Sequence, residues 1–167
     1  MDRYKKIWAE IPKETKSIMD IGGRDCELLI RKSWLYTGEY SNFEIEDGYD
    51  ITKKINNPKK YDVIVLSHVI EHTANQEMLL QNINSMMHKD SILILLTPNS
   101  LCLRRMILRL LGKRMESYGG NETHLVAFNS EVLGNLLERY GFDVVINRDK
   151  RIGEEIFIVA KKVEKIK

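Results

Sequence analysis

The sequence predicts an α/β fold, a mostly parallel sheet with helices on both faces, and three observations lead there. Strand-like apolar runs alternate with helical patterns along the chain, the order that builds β–α–β units. Val63 to Leu66 and Ser91 to Leu96 are continuous or nearly continuous apolar runs, as strands covered on both faces require. The first of them ends abruptly in Ser67, His68, Glu71 and His72, polar groups just past the strand, and open α/β sheets bind ligands at that carboxyl edge. A chain of 167 residues, 43% hydrophobic and 30% charged, is long enough to bury a core without staples. One domain over residues 1–167 is expected.

Residues 2 to 10 read as a short amphipathic helix presenting Tyr4, Ile7 and Trp8 and ending before Pro12. Ser17 to Ile21 is a short strand running into Gly22-Gly23, Cys26 to Lys32 a brief helix, and Trp34 to Gly38 the next strand. The segment FEIEDGYDIT after Asn42 carries some strand character before the turn INNPKK. A parallel crossover needs roughly a dozen residues, yet Tyr40 and Phe43 are nearly adjacent. The third strand is therefore expected to be vestigial or extended at the sheet edge. Thr73 and Gln76 form a T-x-x-Q capping box, opening a helix with Leu79, Leu80, Ile83, Met86 and Met87 at helical spacing. The strand from Ser91 closes at Thr97-Pro98-Asn99, and Leu101 to Leu111 is helical by pattern. Ser130 to Tyr140 is an amphipathic helix stopped by Gly141 as a C-terminal cap. Phe142 to Ile146 and Ile156 to Ala160 are the last strands.

A net charge of +2 demands no nucleic-acid partner. Cys26 and Cys102 have no metal-like spacing and make no disulfide framework, so no metal site is expected. The start MDRYKKIWAE is too charged for a signal peptide and no apolar run approaches membrane-spanning length. A cytoplasmic protein is expected.

The segment SIMDIGGRDCELL puts Asp20 at a strand end and a glycine turn before a helix. Such a turn lets backbone approach a bound nucleotide closely, or it is only a tight turn. The G-x-G-x-x-G fingerprint is absent, which disfavours an NAD-dependent oxidoreductase. A ribose-binding carboxylate belongs about 20 residues further on, at the end of the second strand, and Glu39 sits near that distance. The alternative is a solvated surface glutamate. His72 either packs at the helix start or meets substrate, and His124 is either a general base of near-neutral pKa or a plain surface histidine. His68 lines the pocket, and His88 is a solvated helix-end residue. The basic run Arg104, Arg105, Arg109, Lys113 and Arg114 is a solvated face, or a contact with anionic lipid or a phosphorylated substrate.

Taken together these residues resemble the class I S-adenosylmethionine-dependent methyltransferases. DIGGRDC is similar to their D-x-G-x-G-x-G turn, with Asp20 and Gly22 kept and Arg24 and Cys26 in place of the later glycines. Asp50-Ile51 resembles the family's acidic pair beside the adenine, and Asp50 also suits a turn beside Gly48. YDVIVLSHVIEH is similar to the F-D-V-V-x-x-x-x-V-L-E-H signature of the small-molecule branch that includes ubiquinone-biosynthesis O-methyltransferases. TPNSLCLRRMILRLLGKR, followed by THLVAFNSEVLGNLLERYGFDVV, is similar to the tail of methyltransferases encoded with glycan-modifying enzymes.

The resemblance implies a Rossmann-like three-layer sandwich with an antiparallel last strand and a third edge strand shortened or missing. It implies S-adenosylmethionine as cofactor, with S-adenosylhomocysteine as product, held by Asp20, Gly22, Gly23, Arg24, Glu39 or Tyr40, Asp50, Ile51, Ser67 and His68. It implies methyl transfer to a small-molecule or glycan-like acceptor; an oxygen acceptor would want a base, for which His124 and His72 are the candidates. The insert at about residues 100–122, by its position after the carboxyl end of the strand closing at Leu96, is expected to form a helical lid. Crowding by Arg24 and Cys26 motivates the alternative, a methyltransferase-like binding or scaffold subunit without catalysis.

Overall fold

In the computed structural model, residues 3–23, 28, 36–44, 50–112, 124–148 and 153–163 are described, with 104, 105, 108 and 109 described by backbone alone. Helix α1 spans Arg3–Glu10, followed by strands β1 (Ser17–Ile21), β2 (Glu39–Phe43) and β3 (Tyr61–Ser67). A 3₁₀ turn over Ile70–His72 leads to helix α2 (Gln76–Ser85) and strand β4 (Met87–Pro98). Helix α3 is Leu103–Leu110 and helix α4 is Ser130–Arg139; strands β5 (Phe142–Asn147) and β6 (Glu155–Lys162) close the chain. The strands make one sheet in the order β2-β1-β3-β4-β6-β5. The first four are parallel, and β6 runs antiparallel to both β4 and β5. This is the Rossmann-like α/β arrangement.

The continuous apolar runs are explained by burial on both faces. Alternate side chains of a strand point to opposite sides, so Ile64 and Leu66 join one core with Leu79, Leu80 and Ile83 of α2 and Leu133 and Leu137 of α4. Val63 and Val65 join a second core across the sheet with Ile7 of α1, Leu28, Ile94 and Leu96. Three layers result, and β3 and β4 are central to both interfaces.

The second strand is displaced from its expected place. It is Glu39–Phe43, not Trp34–Gly38, and pairs in register from Ser17↔Glu39 to Ile21↔Phe43. The short β1 offers its partner edge over only five residues, and that register selects the later segment. No strand follows β2 at this edge among the described residues, in keeping with the shortened edge expected; residues 45–49 lie outside them. The helix expected at Cys26 to Lys32 also lies outside, except for Leu28.

Helix α2 is capped by Asn75, whose side chain accepts from the Met78 N–H at 3.0 Å, not by the expected Thr73. Thr73 instead ends the 3₁₀ turn, and its hydroxyl donates to the Val69 carbonyl. The intervening turn displaces the helix start. Gly141 ends α4 as expected, at φ +82°, a left-handed conformation that glycine adopts without Cβ strain. His88 corrects another expectation: it lies within β4, with Nε2 2.8 Å from Asp62 Oδ1, rather than at a solvated helix end.

Candidate active site

Strands β1 and β3 both end at the same edge of the sheet, and a cavity of about 280 Å³ opens there. Its floor is Asp20, Gly22 and Gly23 from the end of β1 and Val65, Ser67 and His68 from the end of β3. Helix α1 closes one side with Arg3, Tyr4 and Ile7, and His72 stands at another. The side chain of Lys6 on α1 reaches Glu155 at the start of β6, 3.3 Å away, which ties the helix across the edge.

Both glycines have local reasons. Gly22 sits at φ +72°, and a Cβ there would collide with the Val69 side chain. A Cβ at Gly23 would lie 2.5 Å from the Asp20 carboxyl carbon and 3.1 Å from Asn42 Oδ1. The Gly22 N–H donates to the Phe43 carbonyl at 3.0 Å, latching the turn to the end of β2. That latch brings the next residue, Glu44, close enough for its charge to act on Asp20.

Asp20 is buried at 4% exposure. Burial pushes its carboxyl up to about 6, opposed by the Tyr40 hydroxyl, which donates to Oδ2 at 2.6 Å. Glu44 adds to the rise and Arg3 subtracts from it. Two further polar atoms, Ser67 Oγ and Asn42 Oδ1, are buried without a hydrogen-bond partner. A buried polar atom left unpaired costs roughly 1–3 kcal/mol, so this edge carries unmet capacity for a polar ligand.

His68 occupies the left-handed region at φ +58°, an uncommon conformation for a residue other than glycine, of the kind that clusters at functional sites. Its ring lies between two carboxylates, Nε2 at 3.3 Å from Glu155 and Nδ1 at 3.2 Å from Glu71. Hydrogen bonds donated to Glu155 first and Glu71 second push His68 up to about 9, and Glu155 is correspondingly held at about 2. Glu71 is 2% exposed; burial opposes its charge, yet His68 and the Thr97 hydroxyl hold it below the usual carboxylate range. The cavity is thus lined by the His68 imidazolium, the Arg3 guanidinium and the Asp20 carboxyl, on which the charges of both Arg3 and Glu44 act.

His124, distant in sequence, arrives beside His72. The N–H groups of Leu125 and Val126 both donate to the Glu71 carbonyl, at 2.8 and 3.2 Å. The two imidazole rings meet edge to face with centroids 4.5 Å apart. Sequence reasoning singled out both residues without showing that they touch.

Of the other expected site residues, Glu39 is misplaced for its role. It is the first residue of β2, paired in register with Ser17 at the amino end of β1, and its carboxylate is bonded to Lys59. The displacement of β2 moves it to the far edge from the cavity. Tyr40 does reach the site, through its bond to Asp20. Asp50 serves its own turn, accepting from Thr52 and pairing with Lys53 at 3.4 Å, while Ile51 is buried in the core. Neither lines the cavity described. Arg24 lies outside the described residues, as does Cys26. Glu44 was missed; its signal was its position in the run FEIED, one residue after the strand that β1 selects.

The residues present fit an adenosine-bearing cofactor: the two-glycine cradle admits a close backbone approach, and unpaired Ser67 Oγ and Asn42 Oδ1 face the same edge.

A family profile described as a methyltransferase domain matches residues 1–146. The chain belongs to that methyltransferase domain family. No curated protein matches. Among solved structures, the chain is similar to the pyocyanin biosynthetic protein PhzM, at 20% identity and TM-score 0.64 over 96% of this chain and 54% of that one. It is similar to human N-acetylserotonin methyltransferase in complex with SAM, at 18% identity and TM-score 0.68 over 97% of this chain and 52% of that one. It is also similar to the complex of the Haloferax volcanii Trm112 methyltransferase activator with a methyltransferase, at 9% identity and TM-score 0.75 over 96% and 88%. The chain spans about half the length of the first two structures, and at these identities the likeness concerns the fold.

Proposed function

We propose that the chain is an S-adenosylmethionine-dependent methyltransferase acting on a small-molecule or glycan-like acceptor. The observation that carries this reading is the glycine turn of Gly22 and Gly23 at the end of β1, opening onto a cavity with unsatisfied polar atoms. The family membership and the name of the human neighbour, solved with SAM, support it. When bound, the cofactor supplies a methyl group activated by an adjacent sulfonium.

The protein then has mainly to align and desolvate. Glu44 takes the role first given to Glu39, accepting the ribose hydroxyls. Asp20, held by Tyr40, shapes the glycine turn, and Ser67 and Asn42 offer the remaining polar contacts. His68 and Arg3 are the cationic groups of the cavity and suit the carboxylate end of the cofactor. For an oxygen acceptor, His124 or His72 would take the proton; His72 lines the cavity and His124 is in ring contact with it, which supports the assignment.

Helix α3 is the proposed lid within residues 100–122. Leu103, Met106, Ile107 and Leu110 are 46%, 48%, 45% and 86% exposed, an apolar face available to cover an acceptor. Residues 113–123 and the side chains of Arg104, Arg105 and Arg109, expected as a solvated face or a lipid or phosphate contact, lie outside the described residues. No described helix is long and apolar enough to cross a membrane.

Calorimetric titration with S-adenosylmethionine tests the reading. Saturable binding is expected, and Glu44→Ala should weaken it by ~1–3 kcal/mol, the cost of an unsatisfied buried hydroxyl pair. Glu39→Ala should leave it unchanged. No binding at millimolar cofactor would overturn the enzymatic reading and favour the scaffold alternative. Deleting residues 101–120 should preserve cofactor binding and abolish acceptor turnover; turnover that survives would sink the lid.

A further inference from the structure

We infer that Glu71, His72 and His124 form a binding site for one divalent transition-metal ion at the mouth of the cavity. Each residue offers one ligand atom, a carboxylate oxygen or a ring nitrogen, and the three atoms lie within 4.8 Å of one another. Metal–ligand distances of about 2.0–2.2 Å place two ligands of one ion roughly 3–4 Å apart. Side-chain rotations of about 1 Å therefore close the set on an ion. Two imidazoles and a carboxylate suit zinc, iron, nickel or copper rather than magnesium or calcium. Three protein ligands also leave a position open, as in zinc sites that act on a substrate.

The site is built, not adventitious. Two main-chain N–H groups, from Leu125 and Val126, clamp the His124 segment to the Glu71 carbonyl. The Glu71 carboxylate is 2% exposed, with Oε2 fixed by the Thr97 hydroxyl at 2.9 Å. Its other oxygen, Oε1, faces the His68 ring at 3.2 Å from Nδ1. Each carboxylate oxygen can accept more than one partner, and the Thr97 and His68 contacts are the outer support that orients a ligand. His72 and His124 are half-buried and already in ring contact.

The inference rests on the methyl-transfer reading for its use, and it narrows the acceptor to a hydroxyl compound. An ion here would bind the acceptor oxygen and lower its pKa. The acceptor O–H gives its proton to solvent, its oxygen forms the new bond to the methyl carbon, and the carbon–sulfur bond breaks with its electron pair staying on sulfur. His72 and His124 then act as ligands in place of a general base.

The test is titration of the chelator-treated full chain with Zn²⁺ and Co²⁺, alongside a cofactor titration. One ion per chain is expected, with a visible Co²⁺ spectrum showing nitrogen ligation. His72→Ala and His124→Ala should each weaken metal binding by about tenfold to a hundredfold. His88→Ala, at the opposite edge of the sheet beside Asp62, should not change it. Circular dichroism of each variant guards against unfolding, and both substituted histidines of the site are partly exposed. Absence of stoichiometric binding, or binding indifferent to His72→Ala and His124→Ala, would overturn the site. Cofactor binding without metal binding removes the metal and leaves methyl transfer standing. Metal binding without cofactor binding does the reverse.

Discussion

Asp20 is where stability is given up at this site. Its carboxyl is raised to about 6 by burial, so the folded state prefers it protonated while the unfolded chain does not. A raised carboxylate destabilises the fold above the folded pKa, and the penalty fades as pH falls through it toward the unfolded value. Asp20→Asn removes the charge at nearly constant shape. It should raise unfolding free energy by about 3 kcal/mol at pH 7.5, with the gain shrinking toward zero between pH 6 and pH 3. Urea unfolding across that range checks it; a gain independent of pH would mean the charge is not the cause. Gly22 is the other decisive residue. Gly22→Ala forces a side chain into φ +72° and against Val69, at a cost of about 1–3 kcal/mol. Adding Val69→Ala should recover the collision but not the backbone strain, so partial rescue is expected, and complete rescue would assign the whole cost to packing.

At the scale of elements, the two helices on one face of the sheet depend on asparagine caps. Asn75 accepts from Met78 at the start of α2, and Asn129 accepts from Val132 at 2.8 Å at the start of α4. Each side chain satisfies a backbone donor that the helix itself leaves open. Asn75→Ala and Asn129→Ala should each lower stability by ~1 kcal/mol, read as a lower melting temperature. A neutral Asn75→Ala would return the cap to Thr73. The same element explains what pattern reading cannot supply. Thr73 and Gln76 have capping-box spacing, but the 3₁₀ turn claims Thr73 for Val69 and moves the helix start past it. Gly141, by contrast, follows a long amphipathic run with no competing turn, so its role was legible from the residues alone.

At the scale of the molecule, the amino edge of the sheet is held by Asp62. Its Oδ2 accepts from the Lys16 and Ser17 N–H groups, both at 2.8 Å, and Oδ1 meets His88 of β4. Burial would raise its carboxyl, but the bonds from His88, Lys16 and Ser17 outweigh it and hold it below the usual range. A depressed carboxylate contributes stability above the unfolded pKa, and that contribution is lost as pH falls through the folded value. Asp62→Asn should therefore destabilise at neutral pH, with the difference from wild type closing in acid. A constant difference down to low pH would show that charge plays no part. At the carboxyl edge, where the cavity lies, Ser67 Oγ and Asn42 Oδ1 are buried without a hydrogen-bond partner.

What the residues alone determined is the period and depth of burial: the apolar runs of β3 and β4, the glycine turn after β1, the polar group past Leu66, and hence the α/β class and the edge where the cavity opens. These are local properties, since hydrophobic patterning and turn chemistry act over a few neighbours. Tertiary structure decided register and juxtaposition. Pairing with β1 placed β2 at Glu39–Phe43, which put Glu39 at the amino edge of the sheet and Glu44 just past the carboxyl end of β2. Only the return of the chain after α3, clamped to the Glu71 carbonyl, set His124 against His72. Both outcomes depend on hydrogen bonds between segments far apart in the chain, whose energies no local pattern encodes.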